Sequence, residues 1–310
     1  MDTSTVTACK LCGNTKQNHV HEAREMMFGT RDKFYYLECG ACHSLQICTI
    51  PDNLGEYYPS DYYSLGEINF STWPVRFIKK LRYSLYRLTK MGIFKHYHYG
   101  DWLENLALPL NSKILDLGCG NGQLLYEFYA CGYVNLTGAD PFMKRSIQVN
   151  PHIHLVKKSV FELEDTFDCI MMHHSFEHMD HPAATIQKTV ELLNPNGKLL
   201  IRIPVAQKAA WQKYGMDWIQ VDAPRHLFIH SEASMLNLAE NAGLKLDKII
   251  YDSTAFQFTG SELYQRNIPF LESRKKAHFS AQEIKRFENQ AQLLNDQKEG
   301  DQACFYFSKR

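Results

Sequence analysis

A chain of 310 residues, 45% hydrophobic and 22% charged, is long enough for one large folded domain plus a smaller one. Lysine plus arginine number 34 and aspartate plus glutamate 34, so no global basic field points to nucleic acid and no acidic excess points to disorder. No apolar run approaches the roughly 18 residues of a membrane span, and the polar start Met1-Asp-Thr-Ser-Thr5 lacks a signal peptide's hydrophobic region, so a cytoplasmic protein is expected.

The nine cysteines divide unevenly: Cys9, Cys12, Cys39 and Cys42 form two C-x-x-C pairs, and the other five are scattered. An odd count in a chain expected to stay inside the cell argues against a disulfide framework. Two such pairs can instead supply four thiolates to a tetrahedral Zn²⁺ from adjacent turns. Cys9-Lys-Leu-Cys-Gly13 and Cys39-Gly-Ala-Cys42 each resemble a zinc-ribbon knuckle, and with no fifth ligand evident the site reads as closed and structural. Four unmetallated thiols are the alternative. Lys33–Glu38 is predicted as a strand leading into the second knuckle. Residues 1–66 thus form a small zinc-ribbon-like β domain ending in a tyrosine-dense loop, Glu56 to Tyr63, where Pro59 and Gly66 exclude a regular helix.

Residues 67–111 read as a helical linker. Phe77, Ile78, Leu81, Leu85 and Leu88 recur at spacings of one, three and four, which predicts helix from Trp73 to about Ala107 with that face packed on a core. The same stretch bears Arg76, Lys79, Lys80, Arg82, Arg87 and Lys90 with no acidic residue among them. That suits contact with an anionic membrane surface or a diphosphate, a solvated helix face being the plainer reading.

From Ser112 to the C-terminus strands and helices alternate, which predicts an α/β domain, a doubly wound sheet with helices on both faces. The expected strands are Lys113–Leu117, Val134–Ala139, Ile153–Val156, Phe167–Met172, Lys198–Ile203, Leu246–Tyr251 and a final one at Ala303–Phe307. Pro182 suits the first turn of the helix before the fifth strand, and Ser231 suits the cap of a helix ending at Gly243. The polar stretch from Glu272 to Gly300 is expected to form helices over one end of the sheet.

The turn after the first strand carries Gly118, Gly120 and Gly122, which let the backbone approach a ligand closely. Alone, that is a weak nucleotide-type signal. It is sharpened by Asp116 inside the strand, by Asp140 at the end of the next, and by the absence of G-x-G-x-x-G spacing. Residues 112–310, through Asp116-Leu-Gly-Cys-Gly-Asn-Gly122, resemble the class I S-adenosylmethionine-dependent methyltransferases. The resemblance implies a Rossmann-like, seven-stranded sheet with an antiparallel last strand. It also implies S-adenosylmethionine as cofactor, with the loop Gly118, Cys119, Gly120, Asn121 and Gly122 around its methionine part and Asp116 near its ammonium. Asp140 would accept from both ribose hydroxyls, since a carboxylate offers two oxygens to a diol; a plain helix cap is the alternative. Phe142 would flank the adenine, Ser159 and Val160 would meet its amino edge, and His174 would lie beside the cofactor.

Ligands of doubly wound sheets bind beyond the strands' carboxyl ends. The acceptor-site candidates are therefore His173-His-Ser-Phe-Glu-His178 and Trp218-Ile-Gln-Val-Asp-Ala-Pro-Arg-His226. With the cysteine knuckles and tyrosine loop, these segments resemble a methyltransferase subgroup of sugar and cell-surface polysaccharide pathways, which includes deoxysugar C-methyltransferases. That resemblance implies His226 as candidate base, and His178 with Tyr57, Tyr58, Tyr62 or Tyr63 at the sugar. His226 bracing its loop through Asp222 and His178 acting only in packing are the alternatives. Arg225 stands where those relatives can carry a carboxylate, which puts carbon methylation in doubt; an arginine there could hold a substrate phosphate or carboxylate. The expectation is methyl transfer to a small-molecule acceptor, a nucleotide-linked sugar, with no nucleic-acid partner. An O- or N-methyltransferase of another small molecule and a non-catalytic zinc-ribbon binding protein are the alternatives.

Overall fold

The computed structural model describes residues 8–58, 66–95, 99–275 and 277–309. Tyr62 and Tyr63 lie outside the described residues. The chain begins with β1 (His19–Arg24), β2 (Lys33–Glu38) and β3 (Leu45–Ile47), then α1 (Trp73–Thr89) and α2 (Gly100–Leu106). The alternating region follows as β4 (Lys113–Leu117), α3 (Gln123–Cys131), β5 (Asn135–Ala139), β6 (Ile147–Asn150), β7 (Ile153–Val156), β8 (Phe167–His173), α4 (Pro182–Leu192) and β9 (Leu193–Pro204). The remainder is α5 (Ala209–Tyr214), β10 (Phe228–Ile229), α6 (Glu232–Asn241), β11 (Leu244–Tyr251), α7 (Phe256–Gln265), α8 (Phe270–Ser273), α9 (Ala281–Asp296) and β12 (Gln302–Lys309).

The large sheet runs in the order β11-β12-β9-β8-β4-β5-β7-β6. Strands β4, β5, β7, β8 and β9 are mutually parallel where they pair, and β12 is antiparallel to both β9 and β11. The sequence predicts seven of these eight strands. The eighth, β6, is a short antiparallel strand on the edge beside β7, and its sequence Ile-Gln-Val-Asn is too brief and polar to announce it. The two faces are fed by alternate residues of each strand, as a pleated ribbon requires. Leu115, Leu117, Ile170 and Met172 enter the core under α4 and α6. Ile114, Cys169 and Met171 enter the opposite core with α2 and α3. Pro182 opens α4 and the Ser231 side chain accepts from the Ser234 amide at the start of α6, both as the sequence suggests.

Helix α1 departs from expectation. Its buried side chains are Tyr83 and Tyr86, and Phe77, Ile78, Leu81 and Leu88 are exposed. The reason lies in its partners: the Tyr83 hydroxyl meets that of Tyr133, just beyond α3, at 3.0 Å, and Lys79 Nζ pairs with Glu127 of α3 at 2.7 Å. Polar anchors on one face turn the leucine-rich face outward.

The N-terminal strands do not form a sheet by themselves. β1, β2 and β3 are completed by β10, which pairs antiparallel with β3 through Phe228 opposite Gln46. A third core joins Tyr36, Leu45 and Ile47 to Trp218, Phe258 and Phe287. Two buried polar contacts lock the join. The Tyr36 hydroxyl donates to the His226 carbonyl at 2.8 Å, and Arg225 is paired with both Glu25 (3.0 Å) and Asp222 (2.6 Å). Glu25 also accepts from the amides of Phe28, Gly29 and Thr30. Removing one partner of a buried ion pair leaves an uncompensated charge and costs about 3–5 kcal/mol. Glu25→Ala should therefore lower the unfolding free energy by about that amount, with Glu25→Gln intermediate, as read from denaturant unfolding; an unchanged midpoint would show that the clamp contributes nothing.

Candidate active site

Loops from the carboxyl ends of β4, β5 and β8 converge on a cleft of about 490 Å³. Strand order reverses between β4 and β8, the place where doubly wound sheets open a crevice. Gly118 follows β4 with φ +75°, and a Cβ there would come within 2.4 Å of the Ser175 side chain. Only glycine fits. Its amide donates to the Ala139 carbonyl at 2.8 Å, fastening the loop to the end of β5. Gly122, with φ +83°, likewise leaves no room for a Cβ against Leu155.

Of the residues expected around a cofactor, Gly118, Asp140, Phe142, Ser159, Val160 and His174 line the cleft. The others shape the loop. Cys119 is buried with its thiol against Gly138, and Asn121 accepts from the Gln123 amide at 3.0 Å while donating to the Glu67 carbonyl at 3.2 Å. Asp140 is buried and receives the Gly120 amide on one oxygen (3.0 Å) and the Phe142 amide on the other (2.8 Å). Each oxygen keeps a second lone pair for a diol. Phe142 is exposed and stacks on Tyr58, ring centroids 5.9 Å apart and planes 10° apart.

Asp116 is buried, and its pKa is pushed up to about 8 by that burial and by the charge of Asp140. A carboxyl held neutral at the base of a nucleotide-type loop is unfinished electrostatically: a cation beside it would restore the ionised form.

The histidine segment after β8 makes a connected polar chain. Arg202 is bound to Asp252 at 2.6 Å and donates to His174 Nε2. Because arginine only donates, His174 carries its proton on Nδ1 and gives it to Glu177 at 3.2 Å. Glu177 is fully buried. Burial alone would raise its pKa, but the His174 hydrogen bond and the surrounding histidine charges pull it down to about 2. Its Oε2 has no hydrogen-bond partner among the described residues. His178 gives Nδ1–H to the Arg225 carbonyl at 2.8 Å, beside the Tyr58 hydroxyl at 3.0 Å. Burial, with neighbouring His226 second, lowers its pKa, so Nε2 is a lone-pair nitrogen at neutral pH.

His226 sits behind this wall. Its ring packs edge-on to His178 at 4.7 Å, its Nδ1 is tied to the Gln220 carbonyl at 2.7 Å, and its Nε2 lies 3.9 Å from Glu177 and 3.8 Å from Asp222. His178 is on the cleft wall, with Tyr58 and Asp180; His226 is not among the lining residues. Glu177, His178 and His226 each bring one ligand atom within 4.8 Å of the others, close enough for their charges to interact but beyond hydrogen-bond distance for His226 and Glu177. Arg225 corrects the sequence reading: fully buried, with its guanidinium forked onto Asp222 and paired with Glu25, it has no surface to offer a substrate phosphate. His173, inside the candidate segment but given no role of its own from sequence, has its ring 4.2 Å from Trp102 and its nitrogens buried without hydrogen-bond partners among the described residues.

Away from the cleft, Cys9 and Cys42 sulfurs are 3.7 Å apart and those of Cys12 and Cys39 3.5 Å, all four within 4.8 Å of one another. A tetrahedron with metal–sulfur bonds of about 2.3 Å has edges of roughly 3.8 Å, so the set has the right size. The amides of Ala41 and Cys42 both point at Cys39 Sγ at 3.4 Å, donors that favour a thiolate.

The methyltransferase-domain family matches residues 91–249, more than half of the chain, and the chain belongs to that family. A ubiquinone biosynthesis O-methyltransferase of Xanthomonas axonopodis pv. citri (strain 306) is 26% identical over 198 residues, covering 57% of this chain and 77% of that one. Another, from Dechloromonas aromatica (strain RCB), is 28% identical over 112 residues, covering 33% of this chain and about half, 48%, of the relative. An S-adenosylmethionine-dependent methyltransferase from Mesorhizobium loti overlays with a TM-score of 0.45 at 14% identity, over 68% of this chain and 97% of that one. The protein is an S-adenosylmethionine-dependent methyltransferase. Family membership sets aside the non-catalytic reading. No helix of the described residues is long and apolar enough to cross a membrane.

The raised pKa of Asp116 has a measurable consequence for the protein without cofactor. Between the ordinary value of 3.8 and about 8 the folded state keeps a proton that the unfolded chain has lost, so stability falls as pH rises through that window and levels off above it. Asp116→Asn removes the penalty. The melting temperature of the variant minus that of the parent should grow from pH 5 to pH 8; a constant difference would contradict the assignment.

Proposed function

We propose that this methyltransferase acts on a small polar acceptor, a nucleotide-linked sugar of deoxysugar or cell-surface polysaccharide synthesis, with His178 as the acceptor-side base. The observation that carries this reading is the histidine wall of the cleft, where His178 has one nitrogen tied to the Arg225 carbonyl and the other carrying a lone pair. Buried Glu177 and His226 stand behind it and can accept the resulting charge. His178, the Tyr58 hydroxyl and Asp180 on the otherwise largely apolar cleft wall offer hydrogen bonds to a hydroxylated acceptor.

The residues present fit S-adenosylmethionine: a neutral buried Asp116 awaiting the ammonium, a glycine turn without side chains, and Asp140 with spare lone pairs for the ribose diol. Phe142 and Val160 offer apolar surface to the adenine. When bound, the cofactor supplies an electrophilic sulfonium methyl, so the chain's own work is to align the acceptor, exclude water and remove a proton. His178 takes that proton, a contribution of typically about 10²- to 10⁴-fold. His226, first choice from the sequence, acts through Glu177 and the packed rings in this reading. The four-cysteine cluster holds a structural Zn²⁺ that fixes the N-terminal sheet.

A second reading, O-methylation of a phenolic acceptor, is favoured by the stacked Tyr58–Phe142 pair on the cleft wall and by the ubiquinone-pathway relatives. Incubation with methyl-labelled S-adenosylmethionine and panels of keto sugars, hydroxy sugars and phenols, followed by NMR of the product, separates the readings. A methylated sugar nucleotide is expected, and a methyl on a phenol oxygen alone would overturn the sugar assignment. With the acceptor so found, His178→Ala should lower kcat by about 10²-fold or more while leaving cofactor affinity intact; unchanged kcat removes His178 as base. Metal analysis should return one zinc per chain, lost together with thermal stability in Cys39→Ser; a metal-free, equally stable protein would contradict the structural role.

A further inference from the structure

Helix α1 lays its apolar side chains in water. Trp73, Phe77, Ile78, Leu81 and Leu88 are 73%, 61%, 60%, 50% and 83% exposed. At 3.6 residues per turn these five, with Leu85, span one continuous arc of roughly 140°. Met91 and Ile93, which follow directly in the chain, are exposed as well.

The edges of the arc are cationic. Arg82 borders it on one side, and Lys80, Arg87 and Arg76 border it on the other, with no acidic residue from Trp73 to Lys95. Arg82 donates to the carbonyls of Ile93 and Lys95, and Arg76 lies over the Tyr129 ring, so these cations are held at the margins of the apolar strip. The remaining face is already used, by Tyr83, Tyr86 and Lys79 against the body of the protein. An apolar stripe facing water, framed by long basic side chains on both sides, is the arrangement of a helix lying in the headgroup region of a bilayer. A stretch of 17 residues with this many cations does not span one.

We infer that α1 is an interfacial helix that seats this face of the enzyme on an anionic lipid surface. The apolar arc enters the acyl boundary, and Lys80, Arg82 and Arg87 meet the headgroups. The charge pattern selects this occupant over a second copy of the chain, because two such faces would bring like charges together along both edges.

The test is vesicle flotation of the full chain, zinc- and cofactor-loaded, with phosphatidylcholine alone and with 30% phosphatidylglycerol. Binding to the anionic vesicles is expected, weakened by salt. Phe77→Ser with Leu81→Ser, both exposed, should reduce it at least about 10-fold without changing the melting temperature or cofactor affinity, and so should Lys80→Ser with Arg87→Ser. No binding to anionic vesicles at low salt, or equal binding by the variants, overturns the inference. So does a concentration-dependent dimer in sedimentation that the apolar substitutions abolish, which would assign the face to a second copy.

Discussion

Two carboxyl groups lie at the ends of neighbouring strands, and one of them is sealed from water. Asp116 and Asp140 are brought together by the register of β4 and β5, in which Asp116 stands opposite Gly138 and the Gly118 amide closes onto the Ala139 carbonyl. Much of the surrounding structure follows from that pairing. Gly138 has no side chain because the Cys119 thiol packs there, and the loop needs left-handed glycines to turn tightly enough to give Asp140 the Gly120 amide. Holding Asp116 buried beside Asp140 costs the fold free energy whenever the acid ionises. Such a cost makes sense where a cation completes the site.

The second half of the site depends on the N-terminal unit. Segment 218–226 carries no regular strand and only a short turn of helix, yet it holds His226 behind the cleft wall. It is immobilised from outside: Tyr36 on the His226 carbonyl, Glu25 on Arg225, and β10 paired with β3. The cysteine cluster lies at the far end of the same small sheet, so an ordered N-terminal sheet and an ordered acceptor side of the cleft are one condition. The methyl-donor side is built on β4 and β5 and touches the N-terminal unit where Tyr58 stacks on Phe142.

The sequence made the donor side legible because an aspartate inside an apolar strand, followed by three glycines, violates local preference for no structural reason. Strands β2, β4 and β7 matched their predicted bounds residue for residue, since each is a short apolar run closed by clear turn residues. What stayed hidden depended on long-range partners. Arg225 looked like a substrate arginine because its counter-ion Glu25 lies 200 positions away in the chain. His178 could not be told from a packing histidine because Tyr58 and the Arg225 carbonyl, which set its tautomer, come from two other segments. The periodicity of α1 gave a helix, but one expected to run to about Ala107, whereas the helix ends at Thr89 before left-handed Lys90 and α2 begins only at Gly100. Nor does periodicity say what covers a stripe, and the lysine and tyrosine anchors decided which face turned inward.

The central claim is that the buried acid is completed by the cofactor's positive charge. Calorimetric titration of S-adenosylmethionine into the protein at pH 7, repeated in two buffers of different ionisation enthalpy, measures the protons exchanged on binding. Asp116 starts protonated and ends ionised, so the account predicts release of about one proton per cofactor bound. Tight binding with no proton exchange would show that Asp116 keeps its proton, and the electrostatic account of the site would be wrong.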